Sequence, residues 1–238
     1  MTNTLFVFIH GICGNGAQLE QLASRIARAG DDTLFLTLPG HGGGTGSFVR
    51  ATSKQWEHAV GQSVRESLDR ASRVVLVGHS LGALLALSAA ASMPVAGVIG
   101  LGTPMGLRTS LFQLRMSLRV ALGSPDRDDP VIRAYRLARG VSVRGPWEYL
   151  LWPVAFLRLP GVMRRIRRRL GEVNCPVLLV QSGRDETVSR HSANRIAAHI
   201  GENARVLCLP EARHAWIPPD EREILIREIR PFVDGLTD

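Results

Sequence analysis

The sequence predicts an α/β fold: a mostly parallel, doubly wound sheet with a helical cap inserted after the fourth strand. Three observations carry this expectation. Six apolar, strand-length runs follow one another, helix-like segments fall between most of them, and one long interval holds no clear strand. Strands that alternate with helices need right-handed crossovers and a sheet covered on both faces.

The strand runs are Leu5–Ile9, Thr33–Leu38, Arg73–Val77, Val95–Leu101, Pro176–Gln181 and Arg205–Leu209. Runs such as Val74-Val75-Leu76-Val77 are apolar without alternation, as expected for strands buried on both sides. The helix-like segments cover about 16–29, 53–70, 81–92, 189–200 and 220–234. Residues 105–170 show amphipathic stretches punctuated by Pro125, Pro130, Pro146, Pro153 and Pro160. These are expected to form a helical cap over the carboxyl ends of the strands, where open α/β sheets bind ligands. The expected division is a core of residues 1–104 and 171–238 and a cap of residues 105–170.

The bulk properties narrow the class. A chain of 238 residues can bury one good core. Hydrophobic content of 45% and charged content of 21% are ordinary for a globular domain. No run approaches the ~18 apolar residues that span a bilayer, and the N-terminus lacks a basic leader region. The expected location is therefore cytoplasmic. Cys13, Cys175 and Cys208 are scattered and odd in number, which argues against a disulfide framework or a CxxC metal site. Neither a metal nor an organic cofactor is expected. The formal net charge of +8 is unevenly placed: residues 105–170 hold 14 Arg and 4 acidic residues, +10, which leaves −2 for the rest.

The most informative stretch is Arg73-Val74-Val75-Leu76-Val77-Gly78-His79-Ser80-Leu81-Gly82. It reads as a strand, a Gly-x-Ser-x-Gly turn, and an Ala/Leu-rich helix. A serine on such a turn is pushed out toward a substrate, and Gly78 and Gly82 give the strained backbone room. A serine hydroxyl is a weak nucleophile and needs a base, a group that orients the base, and donors for the oxyanion. The acid candidate is Asp185, just past the fifth strand run; a turn or helix-capping role is its commonplace alternative. Asp126, Asp128 and Asp129 are rivals in a polar, Pro-rich loop. The base candidate is His214, between the last strand and the last helix. His58, His79, His191 and His199 do not end a strand after the acid. The chain order Ser80, Asp185, His214 fits groups hung from successive strand ends.

The oxyanion donors are expected to be backbone N–H groups of Leu81, after the nucleophile, and of Ile12, in the His10-Gly11-Ile12-Cys13-Gly14 loop after the first strand. A competing pattern, His41-Gly42-Gly43-Gly44, follows the second strand; there Gly43, Gly44 and Gly46 are expected to form a mobile loop at the pocket rim. No lysine follows that run, which argues against a phosphate loop.

Together, His10-Gly11 with Gly14, Pro39-Gly40-His41-Gly42, Gly78-His79-Ser80-Leu81-Gly82, Gly183 with Asp185 and Val188, and His214 resemble the α/β-hydrolase superfamily. The branch is that of small carboxylesterases and monoacylglycerol-lipase-like enzymes with a helical cap. The resemblance covers about residues 4–104 and 172–236. It implies a serine hydrolase acting on carboxylic esters of a small-molecule acyl substrate, with Ser80 as nucleophile, Asp185 as acid and His214 as base. The same triad on a thioester, amide, lactone or carbon–carbon bond, or a non-catalytic ligand-binding protein on this fold, are the alternatives. Ile12 stands where the branch often has an aromatic residue, so pocket shape does not carry over.

Within the insertion, Trp147–Pro160 is strongly apolar and Met163–Leu170 carries an arginine cluster. The pair suits a lid lining an acyl pocket, peripheral contact with an anionic membrane on the inner membrane face, or contact with acidic substrate groups. No nucleic-acid-binding motif accompanies the charge, so nucleic acid is not an expected partner.

Overall fold

A computed structural model describes residues 4–108 and 129–236. Six strands form one sheet: β1 (Thr4–Ile9), β2 (Asp32–Leu36), β3 (Arg73–His79), β4 (Gly97–Leu101), β5 (Val177–Ser182) and β6 (Ala204–Leu209). Their spatial order is β2-β1-β3-β4-β5-β6 and every pairing is parallel. β1, β3, β4 and β5 are buried almost throughout, whereas the edge strands β2 and β6 are half-exposed. That difference follows from position, because an edge strand has a neighbour on one side only.

The strand side chains separate onto two faces with the period of two that a pleated strand imposes. Leu5, Val7, Ile9, Val74, Leu76 and Leu179 pack against helices Ser53–Leu68, Leu81–Ala90, Leu159–Arg167 and Ser192–Ile200. Phe6, Phe8, Val75, Val77, Ile99 and Val180 pack against helices Ala17–Ile26 and Pro219–Asp234. Helix Leu81–Ala90 buries nine of its ten residues. A helix that is apolar all round has no face to give to water, so it lies between the sheet and other helices. Helix Ser53–Leu68 starts at a capping box in which Thr52 and Gln55 satisfy each other's backbone N–H groups.

Several element ends differ from the sequence expectation for local reasons. β2 stops at Leu36, and the Leu38 N–H instead donates to His10 Nε2 at 3.1 Å. β5 begins after Pro176, which has no N–H to give a ladder. Residues Thr45–Arg50 form a helix, and the glycine run before it is pinned: Ser142 donates through both N–H and Oγ to the Gly43 carbonyl. The expected mobile rim loop is thus partly helix and partly tied to the insertion.

Of the insertion, residues 109–128 lie outside the described residues, and with them the rivals Asp126 and Asp128. Asp129 caps helix Pro130–Leu137, accepting from Val131 and Ile132 N–H, so its carboxylate is occupied in a structural role. The chain then crosses the loops that follow β1 and β2. Asn15 Nδ2 donates to the Leu137 and Arg139 carbonyls, and Trp152 Nε1 reaches Thr45 Oγ1. Helix Leu159–Arg167 behaves differently: Leu159, Val162 and Ile166 enter the core against helix Leu81–Ala90.

Candidate active site

β3 runs directly into helix Leu81–Ala90 through Ser80, with no intervening loop. Ser80 has φ 53° and ψ −116°. Among the described residues, only Ser80 and Cys13 are non-glycine residues with positive φ. Such conformations persist only where the surroundings hold them. Ser80 N–H donates to the Leu101 carbonyl at 2.9 Å, and the Ser80 carbonyl accepts from Ala83 and Leu84 N–H. The Ser80 side chain makes no capping bond, so the hydroxyl is left for other use. Gly78 and Gly82 serve close packing rather than a special φ. A Cβ on Gly78 would lie 2.4 Å from the Ala83 backbone, and one on Gly82 would lie 2.0 Å from the Ile9 carbonyl oxygen.

Asp185 and His214 meet from separate strand ends. Asp185 Oδ2 accepts from His214 Nδ1 at 2.9 Å, while Oδ1 accepts from Thr187 and Val188 N–H at 2.8 and 2.7 Å. Asp185 is therefore both a turn-forming aspartate and the partner of His214. Burial alone would raise the Asp185 pKa; the His214 charge and hydrogen bond, with the two backbone donors, outweigh it and hold the carboxyl below its usual range. Burial likewise works against a charged His214, but the Asp185 charge and hydrogen bond, aided by Glu186, raise its pKa above the ordinary histidine value.

The pair faces the serine turn across Gly102, which follows β4. A Cβ on Gly102 would lie 3.3 Å from His214 Nδ1 and 3.6 Å from Asp185 Oδ2. From the other side, His79 Nε2 lies 2.8 Å from the His214 carbonyl oxygen. A carbonyl can only accept, so His79 carries its proton on Nε2. Burial and the neighbouring His214 lower the His79 pKa to about 3, which keeps the ring neutral. Hydrogen bonds thus reach His214 from Asp185 and His79; among the described residues none joins it to the Ser80 hydroxyl.

The loop after β1 packs directly on this turn. A Cβ on Gly11 would lie 3.2 Å from Ser80 Cβ and 3.0 Å from His79 Nδ1. Gly14 N–H closes a four-residue turn onto the Gly11 carbonyl at 3.0 Å, with Cys13 at φ 59° in its third position. Cys13 N–H donates to His41 Nε2 at 3.1 Å. Among the described residues, no hydrogen bond uses the N–H of Ile12 or of Leu81. The Leu81 N–H also lies in the first turn of a ten-residue helix, where the partial positive charge favours an anion. The sequence pattern pointed to Ser80, Asp185, His214, His10, Gly11, Ile12 and Leu81; the fold joins Asp185 to His214 and packs Gly11 against Ser80. The pattern holds His79 and His41 within its motifs but gives them no role, because their ring partners, the His214 carbonyl and the Cys13 N–H, lie 135 and 28 residues away in the chain.

A cavity of about 130 Å³ reaches the site beside His214. Leu22, Leu101, Leu137, Trp216 and Leu225 give it an apolar wall. No group of three or more His, Cys, Asp or Glu side chains among the described residues is placed to hold a metal ion.

Comparison with known proteins agrees with this architecture. The chain is 23% identical over 234 residues to the thermostable monoacylglycerol lipase of Bacillus sp. (strain H-257), covering 95% of this chain and 89% of that protein. Its fold matches that of the metagenome-derived lipolytic enzymes LipS and LipT, with a TM-score of 0.73 at 21% identity over 98% of this chain and 94% of the other. It also matches the Paleococcus ferrophilus monoacylglycerol lipase, with a TM-score of 0.69 at 20% identity over 96% and 93%. Residues 6–227 match the family model described as the alpha/beta hydrolase family, and the chain belongs to that family.

Proposed function

We propose that the protein is a serine hydrolase that cleaves carboxylic esters of small or medium, lipid-like acyl substrates. The observation that carries this is the buried Asp185–His214 pair facing a strained Ser80, whose hydroxyl no described group engages. In this reading Ser80 Oγ attacks the ester carbonyl carbon while its proton passes to His214 Nε2. Asp185 orients the imidazole and stabilises the imidazolium. The carbonyl electrons move to oxygen, where Ile12 and Leu81 N–H groups hold the developing charge. Collapse of the tetrahedral intermediate expels the alcohol, which takes the proton from His214. Water then repeats the sequence on the acyl-enzyme and frees the acid. The cavity beside His214, with Leu22, Leu101, Leu137, Trp216 and Leu225 in its wall, offers apolar surface next to the proposed base. The lipase names among the relatives support a lipid-like ester.

The test compares wild type with Ser80→Ala on chromogenic esters of two to sixteen acyl carbons. Loss of about five to six orders of magnitude in kcat is expected, as for other triad serines. A variant that retains near wild-type turnover would overturn the proposal. Turnover of thioesters, amides, lactones or carbon–carbon substrates with none of esters would move the same triad to a different bond.

We further propose that residues 144–168 contact an anionic membrane surface. Trp147, Leu150, Leu151, Val154 and Leu157 are exposed, Leu150 by 81% and Leu157 by 77%. Arg164, Arg167 and Arg168 follow, exposed and without an acidic partner among the described residues, whereas Arg165 and Arg169 pair with Glu57 and Glu172. Apolar insertion beside unpaired arginines is the pattern of an interfacial element. Neutralising Arg164, Arg167 and Arg168 should abolish salt-sensitive binding to phosphatidylglycerol vesicles. Binding equal to that of wild type would remove the proposal.

A further inference from the structure

The loops after β1 and β2 hold each other through two histidines. His10, in the first loop, accepts the Leu38 N–H at Nε2 (3.1 Å). His41, in the second loop, accepts the Cys13 N–H at Nε2 (3.1 Å). A backbone N–H can only donate, so both rings carry their proton on Nδ1. Those protons are themselves placed: His10 Nδ1 lies 2.8 Å from the Gly11 carbonyl and His41 Nδ1 lies 3.3 Å from the Pro39 carbonyl. The two rings lie 4.8 Å apart at a tilt of 56°, and Phe48 and Trp56 meet His41 edge-on.

We propose that His41 is a positioning residue for ester hydrolysis: by accepting the Cys13 N–H, it locks the Ile12–Cys13 peptide and so keeps the preceding Ile12 N–H aimed at the substrate oxyanion. This rests on the function proposed above. Cys13 occupies the left-handed third position of its turn, where glycine is the unstrained residue. Rotating the Ile12–Cys13 peptide would relieve that strain and disturb the geometry of the whole turn. His41 Nε2, on the Cys13 N–H, opposes that rotation directly. Gly140 N–H, on the Cys13 carbonyl at 2.6 Å, holds the following Cys13–Gly14 peptide. Gly140 is in turn fixed by Gly42 N–H, which donates to the Gly140 carbonyl at 2.7 Å. A side chain at Gly140 would strike the Gly14 carbonyl, so only glycine lets the insertion approach this closely. His41 is suited to the task because it stays neutral. Burial, and the adjacent His10, lower its pKa to about 4, which preserves the Nε2 lone pair at neutral pH.

Two substitutions separate the acceptor from the bulk of the ring. His41→Asn puts an amide near the position of Nδ1 and nothing near Nε2. His41→Gln extends an amide oxygen toward the Nε2 position. Both lose the aromatic ring, so packing losses are shared. The full chain is assayed with the ester that wild type cleaves best, and with a trifluoromethyl ketone of the same acyl group, which forms a hemiketal oxyanion on the serine. His41→Asn should lower kcat by about ten- to a hundredfold, somewhat less than outright removal of an oxyanion donor, with KM changed by less than about threefold. Affinity for the trifluoromethyl ketone should fall by the same factor as kcat/KM, because only oxyanion binding has been lost. His41→Gln should recover most of both.

Three outcomes would overturn the proposal: wild-type kcat in His41→Asn, an unchanged trifluoromethyl ketone affinity beside a lowered kcat, or equal losses in the two variants. Ser80→Ala is run in parallel. If that variant turns over normally, the esterase assignment itself fails; if it is inactive while His41→Asn is fully active, only the role of His41 fails.

Discussion

The frame around β3 and the insertion at residues 129–158 are stabilised in different ways. In the frame, Val75, Leu76, Val77, Leu84, Leu85 and Leu87 are fully or almost fully buried, and the helix after Ser80 has no wet face. In the insertion, short helical pieces beginning at Pro130, Pro146 and Pro153 bury few residues each: Ile132, Glu148 and Ala155. Its hold on the rest of the molecule combines one small apolar cluster, Val141, Ala155 and Trp152 on Phe48, with specific hydrogen bonds, such as Asn15 to Leu137 and Arg139, and Gly140 to Cys13. Hydrophobic burial is non-directional and sums over area, so it makes the frame rigid. A few directional bonds fix one arrangement of the insertion at a much smaller total gain. A rigid frame can keep Ser80 in a strained conformation, while the lightly held insertion leaves Leu150 and Leu157 exposed.

This contrast can be broken most sharply at the proposed triad. Asp185→Asn should lower kcat by about 10⁴, as the equivalent change does in other triads. It should also shift the acid limb of the kcat/KM profile to lower pH. The wild-type His214 pKa is raised by Asp185 against the lowering effect of burial; without the carboxylate, burial prevails and the base stays deprotonated to lower pH. A pH–rate profile for both proteins checks the sign. An acid limb that moved upward would show that the insertion or another group controls His214.

The smaller effects concern stability. Leu87→Ala, in the buried helix, should cost about 2–5 kcal/mol. At ~2–4 °C per kcal/mol for a chain of this size, the thermal midpoint should fall by about 4–20 °C. Leu150→Ser, at an exposed position of the insertion, should change stability by less than about 0.5 kcal/mol. Thermal melts of the two variants sharpen the comparison. A large loss in Leu150→Ser would mean that the exposed apolar side chains are packed against something in solution, and the division between rigid frame and lightly held insertion would fall.

Much of the frame was legible because its signals are local. Strand-length apolar runs, the Ala/Leu helix after Gly78-His79-Ser80-Leu81-Gly82, and the chain order of Ser80, Asp185 and His214 can each be read within a few residues or by counting along the chain. Helix Thr45–Arg50 was not legible, because Gly43, Gly44 and Gly46 carry the composition of a loop; contacts to Ser142 and Trp152 anchor it. The amphipathic face of Leu159–Arg167 was visible in sequence, but not the helix against which it packs.

The sequence by itself determined the α/β alternation, the two-faced core and the residue types of the candidate site. Those depend on periodicity and on backbone chemistry within short windows. Only the tertiary structure decided that His79 would hold the His214 loop, that His41 would hold Cys13, and that Gly140 would close on both loops. Each of these contacts joins groups 28 to 135 residues apart. Any buried histidine has a ring nitrogen that must find a partner, but its composition does not say which of many backbone groups the fold will bring to it.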